Sequence, residues 1–352
     1  MGIKITGIGS YIPDVVTANT DFLEHQFLNS NGTPIANENA VIIEKFKAIT
    51  GIEERRYATD NQSSSDLATI AAQKAIDDAG IDPETLDYII LAHNFGDIKH
   101  KSTQSDIVPS LASRVKYNLR IKNHKCVAYD ILFGCPGWIE GVIQAQAFIK
   151  AGMAKRCLVI GTETLSRVID PHDRDSMIYS DGAGATIVED VAGETGILGF
   201  ETATFSHDEA YFLFNGQSYN EARENDTVYI KMYGRKIYNF ALTNVPLAMK
   251  ECLDNTGRDI SELKKIFIHQ ANEKMDEAIC QRFYKLYDVE MPEGVMPMSI
   301  HMLGNSSVAT VPTLLDLVRS GAVKDQEVSK GDLVMFASVG AGMNINAIVY
   351  QY

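Results

Sequence analysis

The feature that most constrains this chain is an internal repeat: three separated segments of its first half recur, in the same order, in its second half. Gly80, Asp82, Leu86 and Ile89 fall on Gly257, Asp259, Leu263 and Ile266 at one constant offset, about half the chain length. Gly134-Cys135, followed by a small-residue helical pattern ending at Gly152, falls on Gly304-Asn305 and a similar pattern ending at Gly321. Ser180-Asp181-Gly182-Ala183-Gly184 falls on Ser338-Val339-Gly340-Ala341-Gly342, each leading into an apolar run. One such match is the ordinary grammar of chains that alternate helix and strand, whereas three in register indicate duplication. Two like halves, 1–190 and 191–352, are therefore expected. If they pack about a pseudo-twofold axis, equivalent helix starts meet near it, and Cys135 becomes a neighbour of Asn305.

Apolar runs bounded by glycine at 88–92, 157–161, 266–269 and 333–337 read as buried strands. Residues 65–80, 137–151, 240–256 and 306–320 carry Ala, Leu and Ile at helical spacing. The alternation predicts an α/β protein whose sheets are covered by helices. With 352 residues, 45% of them hydrophobic, the chain has enough material for two cores. Its formal net charge of −14 argues against nucleic acid or an anionic membrane as the main partner. Five cysteines, Cys126, Cys135, Cys157, Cys252 and Cys280, are an odd number without CxxC spacing, so neither a disulfide framework nor a zinc site is expected. A reducing cytoplasm fits that usage. The first residues alternate like a strand and lack the apolar core of a signal peptide, and no run approaches a membrane span.

Cys135 stands where a strand-like run breaks at Gly134 and a helix begins, with Pro136 suited to the first helical position. A thiol there faces the positive end of the helix dipole, which predicts a lowered pKa. A free cysteine is more often an inert small hydrophobe, and the other four read that way. His269 ends a strand and opens His269-Gln270-Ala271-Asn272, the sheet-to-loop position that catalytic groups favour; an isolated histidine there is otherwise a hydrogen-bonded core residue. Asn305 suits a helix N-cap, and its equivalence to Cys135 is what raises it above that role. Gly182 and Gly184 precede a strand, so they read as tight packing and not as a dinucleotide fingerprint. The turn Gly340-Ala341-Gly342 can bring backbone amides close enough to form an oxyanion hole. No Walker loop, HExxH motif or metal-ligand cluster is present.

Together, Gly134-Cys135-Pro136-Gly137, His269-Gln270-Ala271-Asn272, Gly304-Asn305-Ser306-Ser307, Gly340-Ala341-Gly342, Asp170-Pro171 with Arg174, and Ser180-Asp181-Gly182-Ala183-Gly184-Ala185 resemble the β-ketoacyl-acyl-carrier-protein synthase III family of the thiolase superfamily. The likeness spans nearly the whole chain. It implies the thiolase-like five-layered αβαβα fold of two pseudo-symmetric halves, usually as a cytoplasmic homodimer. It also implies that Cys135 takes an acyl group from acyl-CoA, while His269 and Asn305 hold the enolate formed when malonyl-acyl carrier protein loses carbon dioxide. The amides of Cys135, Gly340, Ala341 and Gly342 would hold the tetrahedral intermediate, with no cofactor and no metal. A thiolase would place a second cysteine near the C-terminal glycine turn, where Ser338-Val339-Gly340 stands here. Elongating synthases resemble a Cys, His, His set, whereas the third member here is Asn305.

Several positions depart from the initiating enzymes of fatty acid synthesis. The tryptophan and arginine that usually flank the CoA adenine correspond to Lys45 and Ile49, while the other adenine-side residue, Arg174, is retained. Residues 21–47 and 95–106 are longer than usual. A carrier-bound or unusual acyl donor is therefore an alternative. Val108 lies where a primer-sizing aromatic often sits, which implies room for a longer or branched acyl group. Arg235, Lys236, Lys264, Lys265 and Lys274 are candidates for a basic rim that docks acidic acyl carrier protein, against an ordinary solvated face. Other readings are a ketosynthase or acyltransferase of alkylresorcinol- or quinolone-type metabolism, and a non-catalytic partner subunit, which Cys135 argues against.

Overall fold

The computed structural model describes residues 2–193, 195–222 and 226–352. Side-chain alternation along its strands decides its layers. In Tyr88–Ala92 and Arg156–Thr164, Ile89, Leu91, Leu158 and Ile160 join a core with helices Ser64–Ala79 and Leu111–Asn118 on one face. Their neighbours Ile90, Cys157 and Val159 turn to the opposite face and meet Trp138, Val142 and Leu314. The second sheet repeats the pattern. Ile266, Ile268, Met335, Ala337, Ala347 and Val349 face helices Gly234–Asp254 and Glu273–Lys285, whereas Phe267, Val334, Phe336, Ile348 and Tyr350 face the middle. Where strands are buried on both faces, as at 88–92, 157–161 and 333–337, successive residues are apolar, which is why they read as continuous runs. The middle layer is helices Gly137–Lys150 and Thr310–Arg319, enclosed by both sheets. The order is helix, sheet, helix, sheet, helix, the five layers expected from the resemblance.

The first sheet runs Ile3–Tyr11, Asp181–Asp190, Arg156–Thr164, Tyr88–Ala92, Val127–Ile131. The second runs Ile197–Thr204, Asn344–Gln351, Leu333–Gly340, Leu263–Ile268. Reading each from its first-named strand, two antiparallel pairings are followed by a parallel one in both sheets. The repeat in the sequence is thus a repeat in space. Gly134 and Gly304 both take a positive φ, 67° and 60°, before the two middle helices. Asp82 and Asp259 each accept a bond from the backbone N–H two residues on, at Glu84 and Ser261.

The third sequence match is looser than its spelling. Ser180 and Asp181 open the strand equivalent to Asn344–Gln351, while Ser338 to Gly340 close the strand before it, the equivalent of Arg156–Thr164. The second half turns between these strands at residues 341–343, but the first half inserts residues 165–180. That insertion is pinned by a buried ion cluster: Lys231 Nζ lies 2.7 Å from Asp170 and 3.0 Å from Asp173, beneath the ring of Tyr219. Gly184 serves packing, as expected, whereas a Cβ at Gly182 would meet nothing closer than Ser306 Cβ at 3.5 Å, an ordinary contact. A Cβ at Gly184 would lie 2.6 Å from the Pro312 ring, and one at its cross-strand partner Gly161 would lie 2.3 Å from Val308 O.

Candidate active site

The chain around Cys135 is held from both halves. Val127–Ile131 ends the strand, Gly134 reverses direction, and the Gly137 amide donates to Gly134 O at 3.0 Å to start the helix. Pro136 occupies the cap position, one residue before the place expected for it. A Cβ at Gly340 would lie 2.4 Å from the Cys135 nitrogen, so only glycine lets the two turns touch. Asn344 Nδ2 staples them by donating to Phe133 O and Ala341 O at 3.2 and 2.8 Å.

His269 follows strand Leu263–Ile268, and its amide donates to Ala337 O at 2.8 Å. The rest of its motif is structural. Gln270 bonds Pro297 O and Ser299, and Asn272 Oδ1 caps helix Glu273–Lys285 at the Met275 amide. Asn305 is clamped to the first half: its amide donates to Ile178 O and its carbonyl accepts from the Ser180 amide, both at 2.9 Å. Its Oδ1 accepts from the Ser307 amide at 2.7 Å, and among the described residues nothing accepts from its Nδ2.

Cys135, His269 and Asn305 line one cavity of about 620 Å³ whose walls include Phe46, Phe95, Leu165, Ile178, Leu213, Phe214, Ile230 and Met232. The electrostatics correct one expectation. Burial pushes the Cys135 thiol up to about 11, against the downward pull of the Ser307 hydroxyl, 3.4 Å from Sγ. Desolvation outweighs the pull of that hydroxyl, and the nearby Glu163 adds to the rise, so the resting group is a thiol. Burial also pushes His269 down to about 4, so its ring is neutral, and its buried Nδ1 has no partner among the described residues.

Gly340 and Ala341 line the cavity, whereas Gly342 does not. Arg174 and Arg235 stand at its walls with Lys45 and Ile49, and Lys236 and Lys274 are exposed next to wall residues. Lys264 and Lys265 must be withdrawn from the docking rim. They begin the strand that His269 follows, roughly 13–17 Å away at strand rise. Lys265 is also buried, with its Nζ on Gly294 O and Gln326 Oε1. Val108 is 82% exposed and lines no part of the cavity in its own chain, because its loop projects outward. Of the two longer segments, 21–47 contributes Asn37, Ile42, Lys45 and Phe46 to the cavity wall. Sequence reasoning missed Asn94, Tyr179 and Ser307 in the wall, and Glu163 behind Asn94. Only Ser307 carried a signal, by standing inside the Gly304-Asn305-Ser306-Ser307 motif.

Comparison with known proteins agrees with this architecture. Residues 129–205 match the family model "3-Oxoacyl-[acyl-carrier-protein (ACP)] synthase III", and residues 253–352 match the model of its C-terminal part. The chain is 33% identical over 350 residues to Beta-ketoacyl-[acyl-carrier-protein] synthase III 1 of Vibrio vulnificus, covering 99% of each chain. It is 30% identical over 354 residues to the synthase III of Listeria innocua, covering 100% of this chain and 99% of that one. The crystal structure of 3-oxoacyl-[acyl-carrier-protein] synthase III from Aquifex aeolicus superposes with a TM-score of 0.82 at 30% identity, covering 100% of both chains. With matches of this extent lying over a duplicated five-layer fold, the chain belongs to the 3-oxoacyl-[acyl-carrier-protein] synthase III family of condensing acyltransferases.

Proposed function

We propose that Cys135, His269 and Asn305 divide the condensation between them. Cys135 Sγ attacks the thioester carbonyl of an acyl-CoA; the new C–S bond replaces the old one, and the thiol proton leaves with the coenzyme A sulfur. Malonyl-acyl carrier protein then enters the same cavity. Its C–CO2 bond breaks, carbon dioxide departs, and the electron pair moves onto the thioester oxygen, where His269 and Asn305 donate hydrogen bonds. A neutral imidazole suits this task because it stabilises the enolate as a donor without quenching the carbanion by protonation. The α-carbon attacks the acyl carbonyl, and the amides of Cys135 and the 340–341 turn receive the oxyanion. Collapse expels the Cys135 thiolate, which regains a proton, and yields a 3-oxoacyl thioester for fatty acid biosynthesis. No step requires a metal or cofactor.

The observation that carries this reading is that three side chains from both halves line a single apolar cavity. Lys45, Arg174, Arg235, Lys236 and Lys274 form a local basic lip on a chain of net charge −14, which favours an acidic carrier protein at the mouth. Among the described residues strand Val127–Ile131 has a neighbour on one side only, and Ile107, Val108 and Leu132 are exposed apolar groups; a second copy pairing there would give a homodimer. Among the described residues no helix is long and apolar enough to cross a membrane; five cysteines without CxxC spacing favour a reducing cytoplasm as the place of the reaction. Incubation with a panel of acyl-CoAs followed by intact-mass measurement tests the nucleophile. Wild-type enzyme gains one acyl mass and Cys135→Ala gains none; an adduct on the variant refutes the assignment.

A further inference from the structure

Behind the nucleophile lies a polar chain that the condensation as written does not use. Glu163, near the end of Arg156–Thr164, and Asn94, just past the end of Tyr88–Ala92, sit at the same edge of two adjacent parallel strands. Glu163 is 1% exposed, and its Oε1 accepts both the Asn94 backbone amide, at 2.8 Å, and the Asn94 side-chain Nδ2. The same Nδ2 donates to Ser307 Oγ at 3.1 Å. An oxygen that accepts there keeps its own hydrogen for another partner, and Ser307 Oγ lies 3.4 Å from Cys135 Sγ as the donor. The backbone N–H of Ser307 meanwhile fixes Asn305 Oδ1. Ser307 thus connects the nucleophile to a member of the enolate site, in a turn where it holds a positive φ of 54°.

Bond direction decides what the chain does. Asn94 donates at both ends, so it cannot pass a proton from Cys135 to Glu163. What it can do is fix the rotation of one hydroxyl. Glu163 supports that view: among the described residues its buried Oε2 has no partner, so the cost of its burial is offset by His93 nearby and by its two bonds to Asn94. Burial also pushes it up to about 7, and Oε1 accepts from Asn94 whether or not the acid is protonated.

We propose that Ser307 is a further catalytic residue, whose hydroxyl donates to the Cys135 thiolate as it forms and again as it leaves, with Asn94 and Glu163 as the positioning residues that aim it. The inference rests on Cys135 being the reacting thiol. A hydrogen bond to a charged acceptor is stronger than one to a neutral group, so the bond favours thiolate over thiol and lowers the barrier to acyl transfer.

The test is the rate of iodoacetamide labelling of Cys135, read by mass between pH 7 and 9 without any malonyl substrate. Failure of the condensation reading therefore leaves this result standing. Ser307→Ala should lose about tenfold in thiolate fraction, partly offset by the higher nucleophilicity of a more basic thiolate, for a net drop of about three- to tenfold at every pH. Glu163→Leu, which removes the acceptor that holds Asn94, should label several-fold more slowly than Glu163→Gln, which loses the same charge but keeps an acceptor. Glu163→Gln retains an acceptor oxygen in the same place and should label at least as fast as wild type, because loss of the Glu163 charge itself favours the thiolate. A merely structural role for Glu163 predicts altered melting without this pattern. Wild-type labelling in Ser307→Ala overturns the proposal, and Glu163→Gln behaving like Glu163→Leu overturns the positioning role.

Discussion

His269 is buried and neutral, and that state has a thermodynamic signature. Its pKa falls from the ordinary 6.5 to about 4, so between those values the unfolded chain binds a proton that the folded chain does not. Stability therefore drops as pH falls through that window, by up to about 3 kcal/mol for this group. Glu163 acts oppositely. Raised to about 7, it contributes stability below the ordinary carboxylate range that is lost as pH rises through 7. The two slopes partly cancel in the wild type, so the comparison must be made by substitution. Denaturant unfolding of His269→Asn from pH 7 to 4 should lose up to about 3 kcal/mol less stability than the wild type; equal losses would show that His269 is not buried neutral. Cys135, His269 and Asn305 were legible because each stands in its own local motif. The Glu163, Asn94 and Ser307 chain was not, because its members meet only through adjacent strands and a distant turn. The thiol pKa was misjudged because a helix start is visible in a sequence and the depth of its burial is not.

At the scale of elements, the cross-strand pair Gly161 and Gly184 leaves a groove for the start of the second middle helix, and so sets where the 305–308 turn lies. A methyl at Gly161 has backbone to displace, the Val308 carbonyl at 2.3 Å, and no flexible side chain to push aside. Gly161→Ala should cost about 1–3 kcal/mol in urea unfolding and lower condensation further than stability alone explains, because Asn305 and Ser307 move together. Stability and turnover both at wild-type levels would show that the groove tolerates the change. Elements were readable wherever both faces of a strand are buried, as at 88–92 and 333–337, since the run is apolar throughout. The Ser180 and Ser338 segments were equated by spelling, although one opens a strand and the other closes the strand before it. A sequence match carries no information about which side of a hairpin it occupies.

For the whole molecule, a lysine pair in sequence does not reveal which end of a strand it occupies. Lys264 and Lys265 looked like lip residues but lie a strand's length from His269, and Lys45, read as a departure at the adenine site, lines the cavity. The proposed homodimer predicts a measurable change. Sedimentation should give a dimer for the wild type and mostly monomer for Ile107→Asp with Leu132→Asp; a monomeric wild type would rule out the proposed edge. In the proposed reaction the duplicated architecture gives each half its own part of the chemistry, with acyl transfer at Cys135 and decarboxylation at His269 and Asn305. The most direct test of that division is release of labelled carbon dioxide from carboxyl-labelled malonyl-acyl carrier protein by His269→Ala enzyme already acylated on Cys135. The adduct should form normally while carbon dioxide release falls by about 10²–10³; release at the wild-type rate from that acylated variant would contradict it.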